Sequence, residues 1–119
     1  MAKRWLRRAA VWLFWPAAAV VIWGELTPHP PSLEVETSDK LLHFLAYFGL
    51  AAIAATALGR GRRLAYAVFG LIVLGGLLEI LQSFTGRDAE WLDEMANSLG
   101  AVLGALAGLL FLRLVRSRD

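Results

Sequence analysis

His43, Glu79 and Asp93 are the residues of this chain whose types ask for a chemical explanation. An imidazole titrates near neutrality, and beside a carboxylate it can take up and hand on protons as a general acid or base. His43, Glu79 and Asp93 are therefore the candidate catalytic groups. Arg87 offers a planar donor fork that suits a phosphate or a carboxylate, and Asp39, Lys40, Gln82 and Asn97 complete a candidate ligand-binding set. His43, Glu79 and Asp93 could also donate to a metal ion, but their spacing matches no recurrent metal motif, so no metal is assigned and the cofactor stays unknown. The chain has no cysteine, which excludes a thiolate nucleophile, a thiolate metal site and a disulfide. It has no phosphate-binding glycine loop, nucleophile elbow or zincin motif. Ser83, Thr85 and Ser98 read as turn or cap hydroxyls, His29 as exposed in a proline-rich stretch, and Glu90 and Glu94 as an exposed acidic face.

These groups must be held by elements that are themselves strongly apolar. Of the 119 residues, 58% are hydrophobic and 18% charged, and the mean hydropathy is +0.57. A soluble domain is about 45–50% apolar and about 25% charged, so the composition points to a membrane protein with a single small domain spanning 1–119. Four apolar stretches stand out, at 9–26, 41–58, 64–82 and 99–115. Each has about the 17–25 residues that a helix needs to cross a bilayer. Apolar residues occupy their whole circumference, unlike a soluble amphipathic helix. The expected fold is an all-α bundle of four transmembrane helices. The basic N-terminus and the first apolar run read as an uncleaved anchor, because a cut after Ala17-Ala18-Ala19 would leave a very short apolar region. Ser38 or Asp39 is expected to cap the second helix and Asp88 a fourth beginning at Ala89.

Orientation follows from the basic residues. Lys3, Arg4, Arg7, Arg8, Arg60, Arg62, Arg63, Arg113, Arg116 and Arg118 fall at the two termini and in the middle loop, and only Lys40 and Arg87 fall on the opposite side. Both termini are thus expected in the cytoplasm. The basic loops satisfy this rule without any nucleic-acid partner; the expected partner is the lipid bilayer.

Helical spacing then puts the polar groups at one depth. Asp39 and His43 are one turn apart, with Tyr47 a turn further in, and Glu79 and Gln82 share a face. Asp93, Asn97, Gly100, Gly104 and Gly108 form one stripe, whose glycines let another helix approach closely. Trp91, Leu92, Met95 and Leu99 fall on the other side, toward lipid. Any one of the polar residues is adequately explained as a cap, a solvated group or an interhelical hydrogen bond, such bonds averaging about 0.6 kcal/mol. The whole set, from three segments at one level, is harder to explain that way, since an ion at the bilayer centre costs about 2.5–3.5 kcal/mol or more, falling toward the rim. Two readings follow: a site facing the exterior, or a structural lock between helices. A transporter is the weaker alternative, because neither an inverted repeat nor a broken helix is visible.

Ser38-Asp39-Lys40-Leu41-Leu42-His43-Phe44 with Tyr47, then Glu79-x-x-Gln82, then Arg87, Asp93, Asn97, Gly100 and Gly104, resembles the VanZ-like family of small bacterial membrane proteins, named after a member linked to teicoplanin resistance. The resemblance is strongest over 39–108. It implies a protein of the bacterial cytoplasmic membrane, with Asp39, Lys40, His43, Glu79, Gln82, Arg87, Asp93 and Asn97 grouped in one site. The leading expectation for the outward-facing site, drawn from its residues, is that it binds or processes a lipid-linked or phosphate-bearing component of the cell envelope; the alternative is the lock of a non-catalytic accessory subunit. The resemblance does not itself imply that this chain confers drug resistance. The resemblance does not supply a reaction.

Overall fold

The computed structural model describes residues 2–26, 36–84 and 91–117. It consists there of four helices, α1 (Ala2–Leu26), α2 (Glu36–Leu58), α3 (Arg62–Gln82) and α4 (Trp91–Ser117). All four are long and apolar enough to cross a membrane. The molecule is elongated, 49 × 23 × 21 Å, so its long axis suits the roughly 40–45 Å of a bilayer with its headgroups. Helices are the natural elements for such a chain, since each satisfies its own backbone polar groups without water.

The helices run longer than the apolar stretches. α1 extends back through the basic N-terminus and carries Pro16 within it. α2 begins at Glu36, so Ser38 and Asp39 lie inside its first turns and are not its cap. The expected Asp88 cap lies outside the described residues. α2 and α3 are joined by Gly59-Arg60-Gly61, and both glycines have positive φ, 73° and 141°. The left-handed backbone is available to glycine at no steric cost, which is how three residues reverse the chain.

Successive helices alternate in direction, so α2 and α4 run parallel, and these two make the most extensive contact in the molecule. Its cause is the glycine stripe. A Cβ at Gly100 would strike the main-chain carbonyl of Phe44, one at Gly104 that of Phe48, and one at Gly108 that of Ala52. The register advances four residues on both helices at each step. Between helices in lipid, close van der Waals contact replaces the hydrophobic drive. α4 therefore offers glycine, Ala101 and Ala105 to an α2 face that buries Tyr47, Leu50, Ala51, Ala54 and Ala55. α1 and α3 flank this pair. The large side chains facing away, among them Trp12, Trp15, Trp23, Phe69, Trp91 and Leu106, are exposed, as a surface in contact with acyl chains requires.

Candidate functional site

At one end of the bundle, the C-terminal turns of α1 and α3 meet the N-terminal turns of α2 and α4. Each helix brings buried polar side chains to this level: Glu25 from α1, His43 from α2, Glu79 and Gln82 from α3, and Asp93 and Asn97 from α4. None of the six is more than 7% exposed. Buried polar groups of this kind are stable only with partners, and the partners come from other helices.

His43 is the hub. Its Nδ1 lies 3.0 Å from Asn97 Oδ1 and 3.2 Å from Glu25 Oε1. Its Nε2 lies 3.6 Å from Asp93 Oδ2. Asp93 is also approached by Lys40, whose Nζ is 3.7 Å from Oδ1; Lys40 is part-exposed and marks the rim. Glu79 completes the group from α3. One donor atom each from His43, Glu79 and Asp93 lie within 4.8 Å of one another.

A second layer ties α1 into this centre. The Tyr47 hydroxyl donates to Glu25 Oε2 at 3.1 Å, and the Gln82 amide donates to the main-chain carbonyl of Glu25 at 2.7 Å. Gln82 is 1% exposed, and this bond gives it a role in joining helices.

The three candidate catalytic residues are thus brought together, and Lys40, Gln82 and Asn97 lie around them. Asp39 is within α2, but its side chain lies outside the described residues, as do Arg87, Thr85, His29 and Glu90. Glu94 differs from the expected exposed position. It is half-buried, accepts a hydrogen bond from Ser98 Oγ at 3.3 Å, and lies over Gly75 of α3, where an added Cβ would sit 2.7 Å from its Oε2. The reason is that α3 presents Gly75 and Gly76 here, which leaves room for a carboxylate between the helices. Glu25 belongs to this centre as well, although no motif of the sequence marks it. The signal for it is the same one that drew attention to Glu79: it is the one ionisable residue in the apolar stretch 9–26, where ionisable groups are expensive.

The opposite end of the molecule has the other sign. Arg7, Arg60, Arg113 and Arg116 line one cleft there, beside Gly59. The bundle is therefore polarised along its axis, with a buried histidine–carboxylate centre at one end and arginines at the other.

No protein-family model, curated protein or solved structure matches this chain.

Proposed function

We propose that this chain is a VanZ-like protein of the bacterial cytoplasmic membrane, and that its buried polar centre faces outward and binds or processes a lipid-linked or phosphate-bearing component of the envelope. The observation that carries this reading is the convergence of Glu25, His43, Glu79, Asp93 and Asn97 from four helices on one buried point at a helix end. A bundle that needed only to hold together in lipid has a cheaper means in its glycine stripe, whereas gathered ionisable groups at membrane depth are the usual mark of function. The outward orientation rests on the clustering of arginines at the other end, which belongs in the cytoplasm. In a catalytic form of this reading, His43 and Glu79 act as acid and base, and Arg87 orients an anionic group. Altered glycopeptide susceptibility is one phenotype it allows.

A second reading, a non-catalytic accessory or binding subunit whose polar cluster is an interhelical lock, is favoured by one specific feature. The bonds from Tyr47 and Gln82 to Glu25 each join two helices. The two readings separate in one experiment. Envelope lipids are compared by mass spectrometry in cells carrying the wild type, His43→Ala or Glu79→Gln, with the amount of folded protein measured in parallel. For a site, the lipid change disappears while the protein stays abundant. For a lock, lipid change and abundance fall together.

A further inference from the structure

We infer that the polar centre is a binding site for one first-row divalent metal ion, held by His43 Nε2, Glu79 and Asp93. The inference rests on reading the cluster as a site, and it adds the chemical class of ion that the site takes.

The first argument is what surrounds His43. Its Nδ1 faces two oxygens, Asn97 Oδ1 at 3.0 Å and Glu25 Oε1 at 3.2 Å. Its Nε2 faces a second carboxylate, Asp93 Oδ2, at 3.6 Å. That distance is long for a hydrogen bond. An imidazolium proton or a metal ion would each supply positive charge between Nε2 and Asp93, and the metal count below distinguishes the two. Metal-bound histidines almost always donate their other ring N–H to a carboxylate or carbonyl, and Glu25 and Asn97 provide that here. Tyr47 in turn holds Glu25.

The second argument is the donor set. One atom each from His43, Glu79 and Asp93 fall within 4.8 Å of one another. Around an ion with bonds of about 2.0–2.2 Å, tetrahedral ligand atoms stand about 3.4 Å apart, so the three atoms need to close by at most about 1.4 Å to share one ion. Charge points the same way. Among the described residues, Glu25, Glu79 and Asp93 are buried carboxylates gathered around one imidazole, and Lys40 approaches only from the rim. One imidazole with two carboxylates selects a first-row ion such as Zn²⁺ or Mn²⁺ over Mg²⁺ or Ca²⁺, which take oxygen ligands alone. Three protein ligands leave a position for an outside oxygen, such as one from a phosphate-bearing headgroup.

The test uses the full chain without a polyhistidine tag, purified in detergent, stripped with chelator, and dialysed against Zn²⁺ or Mn²⁺ in excess Mg²⁺. Bound metal is then counted by mass spectrometry. The expected result is one ion per chain in the wild type and in His29→Ala. Stoichiometric binding should be lost in His43→Ala and Asp93→Asn, and Asn97→Leu should bind 10- to 100-fold more weakly, as outer-shell changes do. Should the His43 variant fail to fold, the near-isosteric Asp93→Asn and the visible spectrum of the Co²⁺-loaded wild type decide. Absence of Co²⁺ ligand-field bands perturbed by Asp93→Asn, or equal metal content in wild type and Asp93→Asn, overturns the inference. The function proposed above fails separately. A wild type that binds no metal but still alters envelope lipids through Glu79 sinks only the metal site. A stoichiometric metal with no lipid effect sinks only the lipid reading.

Discussion

Glu25 of α1 and His43 of α2 meet with Oε1 and Nδ1 3.2 Å apart, and the other oxygen of the same carboxylate accepts the Tyr47 hydroxyl at 3.1 Å. One side chain of the first helix thus holds both the hub residue of the second and the tyrosine one turn below it. The arrangement orients the imidazole from outside the set that Asp93 and Glu79 form.

Tyr47 separates hydrogen bonding from packing. Its ring is fully buried. Tyr47→Phe removes only the hydroxyl, and we expect a loss of about 0.6 kcal/mol, at most about 1.7, in the range of measured interhelical bonds in membranes. Tyr47→Ala also empties the core, at about 3–5 kcal/mol. Thermal unfolding in detergent measures both. Glu25→Ala combined with Tyr47→Phe should cost less than the sum of the two, because each change alone already removes the bond they share.

The glycine stripe gives a sharper contrast. Gly104→Ala drives a methyl group into the main chain at Phe48, and we expect it to destabilise the protein by about 1–3 kcal/mol, as overpacking does. Gly49→Ala is also within a helix but meets open space. It should be neutral or gain up to about 1 kcal/mol from helix propensity. Similar melting temperatures for the two variants would contradict the α2–α4 contact described here.

Gly75 tests the position of Glu94. An added Cβ would lie 2.7 Å from Glu94 Oε2 and 3.1 Å from Asn97 Nδ2. Glu94 can swing aside, while Asn97 is held by His43. Gly75→Ala should therefore cost on the order of 1 kcal/mol, and the cost should shrink in a Glu94→Ala background. An undiminished cost would place the obstruction elsewhere.

Orientation can be read by labelling, because the chain has no cysteine of its own. Ser83 follows α3 and Ser117 ends α4, and both are exposed. In intact cells a membrane-impermeant maleimide should label Ser83→Cys, and should reach Ser117→Cys only after permeabilisation. The reverse pattern would invert the proposed topology.

The helices were legible because hydropathy and length are local properties of the chain, as was the face of α4, where Asp93, Asn97, Gly100, Gly104 and Gly108 repeat at a helical interval. Helix ends were less so. α2 starts at Glu36 in polar sequence that carries no apolar signal, and so Ser38 and Asp39 fall inside it. The meeting of His43, Glu79 and Asp93 followed from depth alone, since alternating helices bring their outer ends to one level. Glu25 was hidden by position. A carboxylate next to the end of an apolar run looks like the point where a helix enters water, and only the third dimension turns it inward. Glu94 was hidden by the opposite cause: its burial depends on a glycine, Gly75, in another helix.

Along α2 and α4 the main chains themselves form the contact, at three successive turns where Gly100, Gly104 and Gly108 admit Phe44, Phe48 and Ala52. That backbone seam sets the spacing of the two helices that carry His43, Asp93 and Asn97. α1 reaches the same three-residue group from outside the seam, through the carboxylate and the main-chain carbonyl of a single residue, Glu25.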